Sequence, residues 1–238
     1  MTLSEFRSRR TRLQRYTWPG LALVAVGGWF QPLLGFLLIG CMIGAVGIAA
    51  YGKGRMWCDW MCPRGSFLDL FLARVSRKRA IPGAFRSNGV RIAVIAALFA
   101  VLGTQLWFAW PDPLAMGLAF VVILTVTTSV GIALGIFIHP RIWCHVCPMG
   151  TIAGYLSKGK YPLSIDAGCT SCTLCEKECP MAIAPYIDKE NGNFRDTDCV
   201  KCGSCVAACP VKALSFPDGK GLPAARRPEN GKCPAGPF

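Results

Sequence analysis

Apolar residues fill two long stretches of this chain almost without interruption, Tyr16–Tyr51 and Ile92–Pro140. A membrane-spanning helix needs about 20 such residues. The 36 residues of the first stretch therefore predict two short helices that turn at Gly27, Gly28 and "WFQP" (Trp29 to Pro32). One long helix with a re-entrant piece is the alternative. The second stretch divides into Arg91–Trp110 and Leu114–Ile138 around "PDP" (Pro111 to Pro113). In "SFLDLFLARVSRKR" (Ser66 to Arg79) an apolar set precedes a basic end, as in a helix lying in the membrane interface. A cytosolic connector is the plainer reading of that segment. From Ser164 the apolar runs give way to cysteines, charges and turns, which predicts a small α+β domain. The expected organisation is a four-helix membrane domain (1–163), a compact domain (164–216) and an extended tail (217–238) rich in Pro, Gly and basic residues.

Charge orients the helices. All 26 Lys and Arg fall in residues 1–15, 53–91 and 141–232, so the net charge of +13 is excluded from both apolar stretches. This is the positive-inside pattern, and it places both termini and the compact domain on the cytoplasmic face of a bacterial inner membrane. A nucleic-acid groove is excluded, because no aromatic stacking platform is interleaved with the charges. Only 16% of residues are charged, against about a quarter in soluble domains. "SRRTRLQ" (Ser8 to Gln14) resembles a twin-arginine signal, but Arg12 stands where such signals prefer an apolar residue, and an uncleaved first helix is expected. Both helix pairs are followed by a similar motif, so the expected fold is four transmembrane helices in a two-fold parallel repeat.

Cysteine supplies the chemistry. Fourteen cysteines in a long, apolar chain do not make a disulfide scaffold; in C-x-x-C series they read as metal ligands. "CTSCTLCEKECP" and "CVKCGSCVAACP" both follow C-x₂-C-x₂-C-x₃-C-P. Three thiolates on a tight loop reach three corners of an iron–sulfur cubane, and the fourth completes the other cluster. Cys169, Cys172, Cys175 and Cys209 are thus expected on one [4Fe–4S] cluster, and Cys199, Cys202, Cys205 and Cys179 on a second. Zinc would explain neither the third cysteine of each loop nor the trailing Cys-Pro. This part closely resembles bacterial two-cluster ferredoxins. Lys177, Lys201 and Lys212 read as charge compensation for reduced clusters, as a docking patch or as a solvated face.

The motif after each helix pair is "RMWCDWMCPRG" (Arg55 to Gly65) and "RIWCHVCPMG" (Arg141 to Gly150). Pro63 and Pro148 suit the first position of a helix, so Cys62 and Cys147 are expected to cap short helices whose dipoles lower their thiol pKa. Ser66 and Thr151 extend the repeat. The four thiols Cys58, Cys62, Cys144 and Cys147 lie on the same side of the membrane. They could hold a third centre, [4Fe–4S] or mononuclear iron. Packing cysteines and a disulfide are the other readings. Trp57 and Trp143 read as interfacial anchors, Arg55 and Arg141 as inside-facing charges, Cys41 as a small buried residue; Cys233 has no partner in sequence.

Residues from about Arg10 to Phe216 resemble the NapH-type membrane ferredoxins, related to the C-terminal half of NosR. The first motif matches at Cys58, Cys62 and Pro63; the second, "CHVCP", is one residue short. The resemblance implies a quinol dehydrogenase-type subunit of a larger oxidoreductase complex, relaying electrons between the quinone pool and a redox partner. His139, His145 and Asp112 are the available bases for quinol chemistry. A membrane metal-centre maturation factor or reductase, and a redox-sensing regulator, are the competing functions.

Overall fold

The computed structural model describes residues 3–217; Cys233 and the tail beyond Pro217 lie outside the described residues. Among the described residues, three helices are long and apolar enough to cross a membrane: Pro32–Lys53, Asn88–Ala109 and Pro113–Phe137. The expected fourth is shorter. Residues 19–30 form a helical run broken by Gln31 (φ −131°, ψ 87°), where the WFQP turn was expected. Its 12 residues reach about 18 Å at 1.5 Å per residue, against a hydrocarbon core of about 30 Å. The helix Leu3–Thr17 precedes it.

The turn between the second pair forms because Asp112 caps the helix that follows, accepting from the Leu114 N–H at 2.9 Å, with Pro113 at the first helical position. Ser87 caps the other helix of the pair in the same way, accepting from Val90 N–H at 3.3 Å. Small residues set the crossing between the two pairs. A Cβ on Gly35 would stand 2.2 Å from the Gly117 carbonyl, and one on Gly117 would stand 2.3 Å from the Pro32 carbonyl. Backbones this close gain van der Waals contact that a bilayer does not otherwise supply.

Each motif begins a pair of short helices, Met56–Trp60 with Pro63–Phe67 and Ile142–Val146 with Pro148–Leu156. The first continues helically to Val75 and carries the segment expected at the interface. Its Leu68 and Leu72 are buried, while Phe71 and Val75 remain exposed.

The C-terminal domain is built on a three-stranded antiparallel sheet, β1 (Leu163–Ile165), β2 (Asn193–Phe194) and β3 (Leu214–Ser215), in the order β2-β1-β3. Leu163, Met181, Ile183, Phe194, Val200 and Leu214 form its core. Cys58 and Cys144 of the membrane motifs pack against that same core, so it is continuous with the motif region.

Candidate iron–sulfur site

The two ferredoxin-type loops share one backbone pattern. Left-handed residues stand two and four places after the first cysteine, Ser171 and Thr173 in one loop and Lys201 and Gly203 in the other, and three places after the last, Ala182 and Lys212. Six such residues, five of them with side chains that resist positive φ, are a concentrated departure from ordinary backbone. Alternating right- and left-handed residues turn successive N–H groups into an anion-binding concavity. The spacing of the cysteines and the curl of the loop thus serve one geometry.

The fourth cysteines cross between loops. Cys179 joins Cys199, Cys202 and Cys205 around a small cavity of about 20 Å³. Cys209 lies within electrostatic reach of Cys172 and Cys169, as does Cys175. Burial pushes the Cys175 and Cys202 thiols up to about 11, and raises Cys179, Cys199, Cys205 and Cys209 as well. Left to themselves these groups would stay protonated, and metal binding displaces those protons.

The loops differ in exposure. Thr170, Ser171 and Lys177 of the first are exposed, whereas residues 200–207 of the second are buried. The burial has a cause: helix Leu3–Thr17 packs across helix Ser204–Ala208, and the motif region closes the rest. Lys201, one of three lysines considered for charge compensation or docking, is buried with its stem over Gly54, where a Cβ would meet Lys201 Cγ at 3.0 Å.

The four motif thiols come together. Cys58 lies within electrostatic reach of Cys62, Cys147 and Cys144, and Cys144 within reach of Cys147 and Cys62. They border an apolar cavity of about 300 Å³, walled by all four apolar helices through residues such as Leu21, Leu38, Phe99 and Leu124. Cys62 and Cys147 take the N-cap positions expected of them. The lowered thiol pKa expected at Cys62 is corrected. The Cys62 thiol is raised, by a hydrogen bond with Cys41 and by burial, and those effects outweigh the backbone N–H of Gly65 that favours the thiolate. Burial likewise pushes Cys58 up to about 12 against the pull of Arg55, and raises Cys144. Cys41, read from sequence as a small buried residue, is half-buried and a fifth thiol on the cavity wall.

The motif arginines are buried and cross between copies. Arg55 donates to the Cys144 carbonyl (Nη2···O 2.6 Å), and Arg141 donates to the Cys58 carbonyl (Nη1···O 3.0 Å). The glycine that ends each motif leaves room for these groups and for the backbone itself, since a Cβ on Gly65 would also stand 2.5 Å from the Cys58 carbonyl. A Cβ on Gly65 would meet Arg141 Nη1 at 3.0 Å, and one on Gly150 would meet Arg55 Nη2 at 2.4 Å. The tryptophans turn toward the membrane helices instead: Trp57 lies on Gly44 and Trp143 on Gly131. The repeat itself showed the two arginines, each three residues before its motif's leading cysteine, but not that each belongs to the other copy.

Two carboxylate clusters anchor these arginines. Arg141 binds Asp69 through Nε at 2.7 Å and Nη2 at 2.6 Å, and Asp59 at 3.1 Å. Arg10 joins both aspartates, and Gln14 donates to Asp69 at 2.9 Å. The neighbouring guanidinium groups hold the Asp69 carboxyl well below the usual range despite its burial. On the other side, Asp198, next to Cys199, accepts from Arg55 at 3.0 Å, from Arg91 and from the His145 ring at 2.9 Å. These partners hold its carboxyl low against the effect of burial. None of the three candidate bases borders the cavity. His145 is bound between Asp198 and the Met181 carbonyl, His139 is pushed down to about 4 by burial and by the charges of His145 and Arg141, and Asp112 is a cap.

The donor chemistry separates the possible occupants. Among the described residues, no three His, Cys, Asp or Glu groups stand close enough to hold one metal ion. The donors on the cavity wall are thiols, the ligands that iron–sulfur centres take. Arg55, within electrostatic reach of Cys58, Cys144 and Cys147, has its Nε buried with no hydrogen-bond partner among the described residues, and a group rich in acceptor sulfur would give it one.

Comparison with known proteins agrees. A family model described as a 4Fe-4S binding domain matches residues 34–82 and again 113–164, once for each motif, and a 4Fe-4S dicluster domain matches 168–214. Ferredoxin-type protein NapH of Escherichia coli is 32% identical over 189 residues, covering 72% of this chain and 64% of that one. NapH of Haemophilus influenzae is 29% identical, covering 75% and 67%. The chain thus spans about two thirds of the length of these relatives. A component of an ion-translocating oxidoreductase complex from Methanosarcina acetivorans is 41% identical over 60 residues, 25% of this chain and 22% of that one. No solved structure matches. With its two Cys-Pro motifs below apolar helices and its dicluster module, the chain belongs to the NapH-like family of iron–sulfur membrane ferredoxins.

Proposed function

We propose that this protein is a membrane-embedded relay between the quinone pool and a redox partner that docks on the ferredoxin domain. Cys169, Cys172, Cys175 and Cys209 hold one [4Fe–4S] cluster, Cys199, Cys202, Cys205 and Cys179 a second, and Cys58, Cys62, Cys144 and Cys147 a third. When bound, such clusters exchange single electrons. The residues arrange the three thiol groups in series. The motif group borders the membrane cavity, the buried second loop lies beneath it, and the exposed first loop faces outward where a partner can approach.

The observation that carries this reading is the motif group itself, four thiols with an apolar cavity on one side and the ferredoxin core on the other. The cavity has the size and character for the ring of a lipid-soluble quinone. Arg64, which donates to Thr127 Oγ1 at 2.9 Å and lies 5.8 Å over the Trp143 ring, is the cation on its wall outside the crossed pair. The three long apolar helices and the shorter run 19–30 are embedded in the inner membrane with the basic segments on the cytoplasmic side; the charge distribution supports this orientation.

The test is anaerobic purification with native partners, followed by mixing with a reduced quinone analogue. Rapid loss of the visible iron–sulfur absorbance supports the reading. Clusters that dithionite reduces and quinol leaves oxidised would remove quinone from it.

A further inference from the structure

We propose that Arg55 and Arg141 are reciprocal positioning residues, each shaping and charging the cluster site from the opposite copy of the motif. This rests on the reading that Cys58, Cys62, Cys144 and Cys147 hold a centre. Three observations point to it. Each arginine fixes the carbonyl of the other copy's leading cysteine, so neither half of the site is complete alone. Gly65 and Gly150 are kept bare where those guanidinium groups pass. Arg141 Nη1 also lies 3.9 Å from Cys144 Sγ, which puts its charge beside a ligand of its own copy as well.

The buried charges are not balanced alike. Asp59 and Asp69 face Arg10 and Arg141, two against two. Asp198 is the single carboxylate bonded to Arg55 and Arg91 among the described residues, so one buried cation there is left over. An uncompensated buried charge is costly unless an opposite charge lies near. Four thiolates on an iron–sulfur core supply that charge, and each added electron increases it. Arg55 therefore makes reduction at the motif site easier.

The experiment uses the full chain, purified anaerobically from membranes and titrated with dithionite as the electron donor. Iron is counted, and the signals of the motif centre and the two ferredoxin clusters are followed separately by electron paramagnetic resonance. Arg55→Gln should lower the midpoint potential of the motif centre, leave the ferredoxin cluster with Cys169 unmoved, and leave about twelve irons; Arg55→Lys, which keeps the charge, should restore the wild-type potential. Loss of only about four irons in Arg55→Gln or Arg141→Gln would also support the positioning role. An unshifted potential in Arg55→Gln with all irons retained overturns the inference. Only eight irons in the wild-type protein would instead overturn the reading on which it rests. If Arg55→Gln does not accumulate, the iron count of Arg141→Gln decides: about eight irons support the positioning role, and about twelve overturn it.

Discussion

Gly65 and Gly150 make the crossed arrangement of the two motifs most directly accessible to mutation. A methyl group on Gly65 would lie 2.5 Å from the Cys58 carbonyl and 3.0 Å from Arg141, and one on Gly150 would lie 2.4 Å from Arg55. Crowding of that kind costs about 1–3 kcal/mol. Gly65→Ala and Gly150→Ala are each expected to lower the midpoint of thermal unfolding in detergent. Gly40→Ala is the control, because nothing lies within 4 Å of its Cβ, and it should leave the midpoint unchanged or raise it. At this scale the two similar cysteine loops were legible, since the spacing of their cysteines goes with the curl of the backbone they share. The roles of Arg55, Arg141 and Cys41 were not. Their partners lie 21 to 89 residues away in the chain, and no local pattern announces such a partner.

Elements carry the next layer of the argument. Two helices meet backbone to backbone at Gly35 and Gly117, where the Cβ of either residue would overlap a carbonyl. Gly117→Val should prevent that crossing and sharply reduce the amount of folded protein recovered from membranes. Gly103→Val, on an open helix face, should not. The apolar pattern announced the Pro-Asp-Pro turn and the break near Gln31, because proline and a capping aspartate act on their immediate neighbours. It overestimated the first helix of the bundle. Hydrophobicity continues from Tyr16, but residues up to Thr17 belong to a separate helix that lies on the ferredoxin domain. The N-cap positions of Cys62 and Cys147 were legible from the prolines, while the raised Cys62 thiol was not, because its hydrogen-bonding partner and its burial are tertiary facts.

At the scale of the molecule, one carboxylate, Asp198, is the most connected of the groups that tie the ferredoxin domain to the membrane domain, beside bonds such as Arg86 to the Ala182 carbonyl at 2.6 Å. Asp198 precedes the first cysteine of the second loop and bonds with Arg55, Arg91 and His145, which come from three separate segments of the membrane domain. Removing one member of a buried ion cluster costs about 3–5 kcal/mol. Asp198→Asn should loosen this docking without unfolding the ferredoxin loops. Trypsin should then cut more rapidly at Lys158 and Lys160, which lie in the exposed connection between the domains, while cluster absorbance persists. Equal cleavage rates in variant and wild type would show that the domains are held together by other contacts.

The account as a whole depends on the two Cys-Pro motifs holding one shared centre between cavity and ferredoxin domain. Iron and acid-labile sulfide, counted in the anaerobically purified protein and in its Cys58→Ala and Cys144→Ala variants, test this most directly. About twelve irons in the wild type and about eight in each variant, with both ferredoxin signals intact, is the predicted result. Eight irons in all three proteins would contradict it.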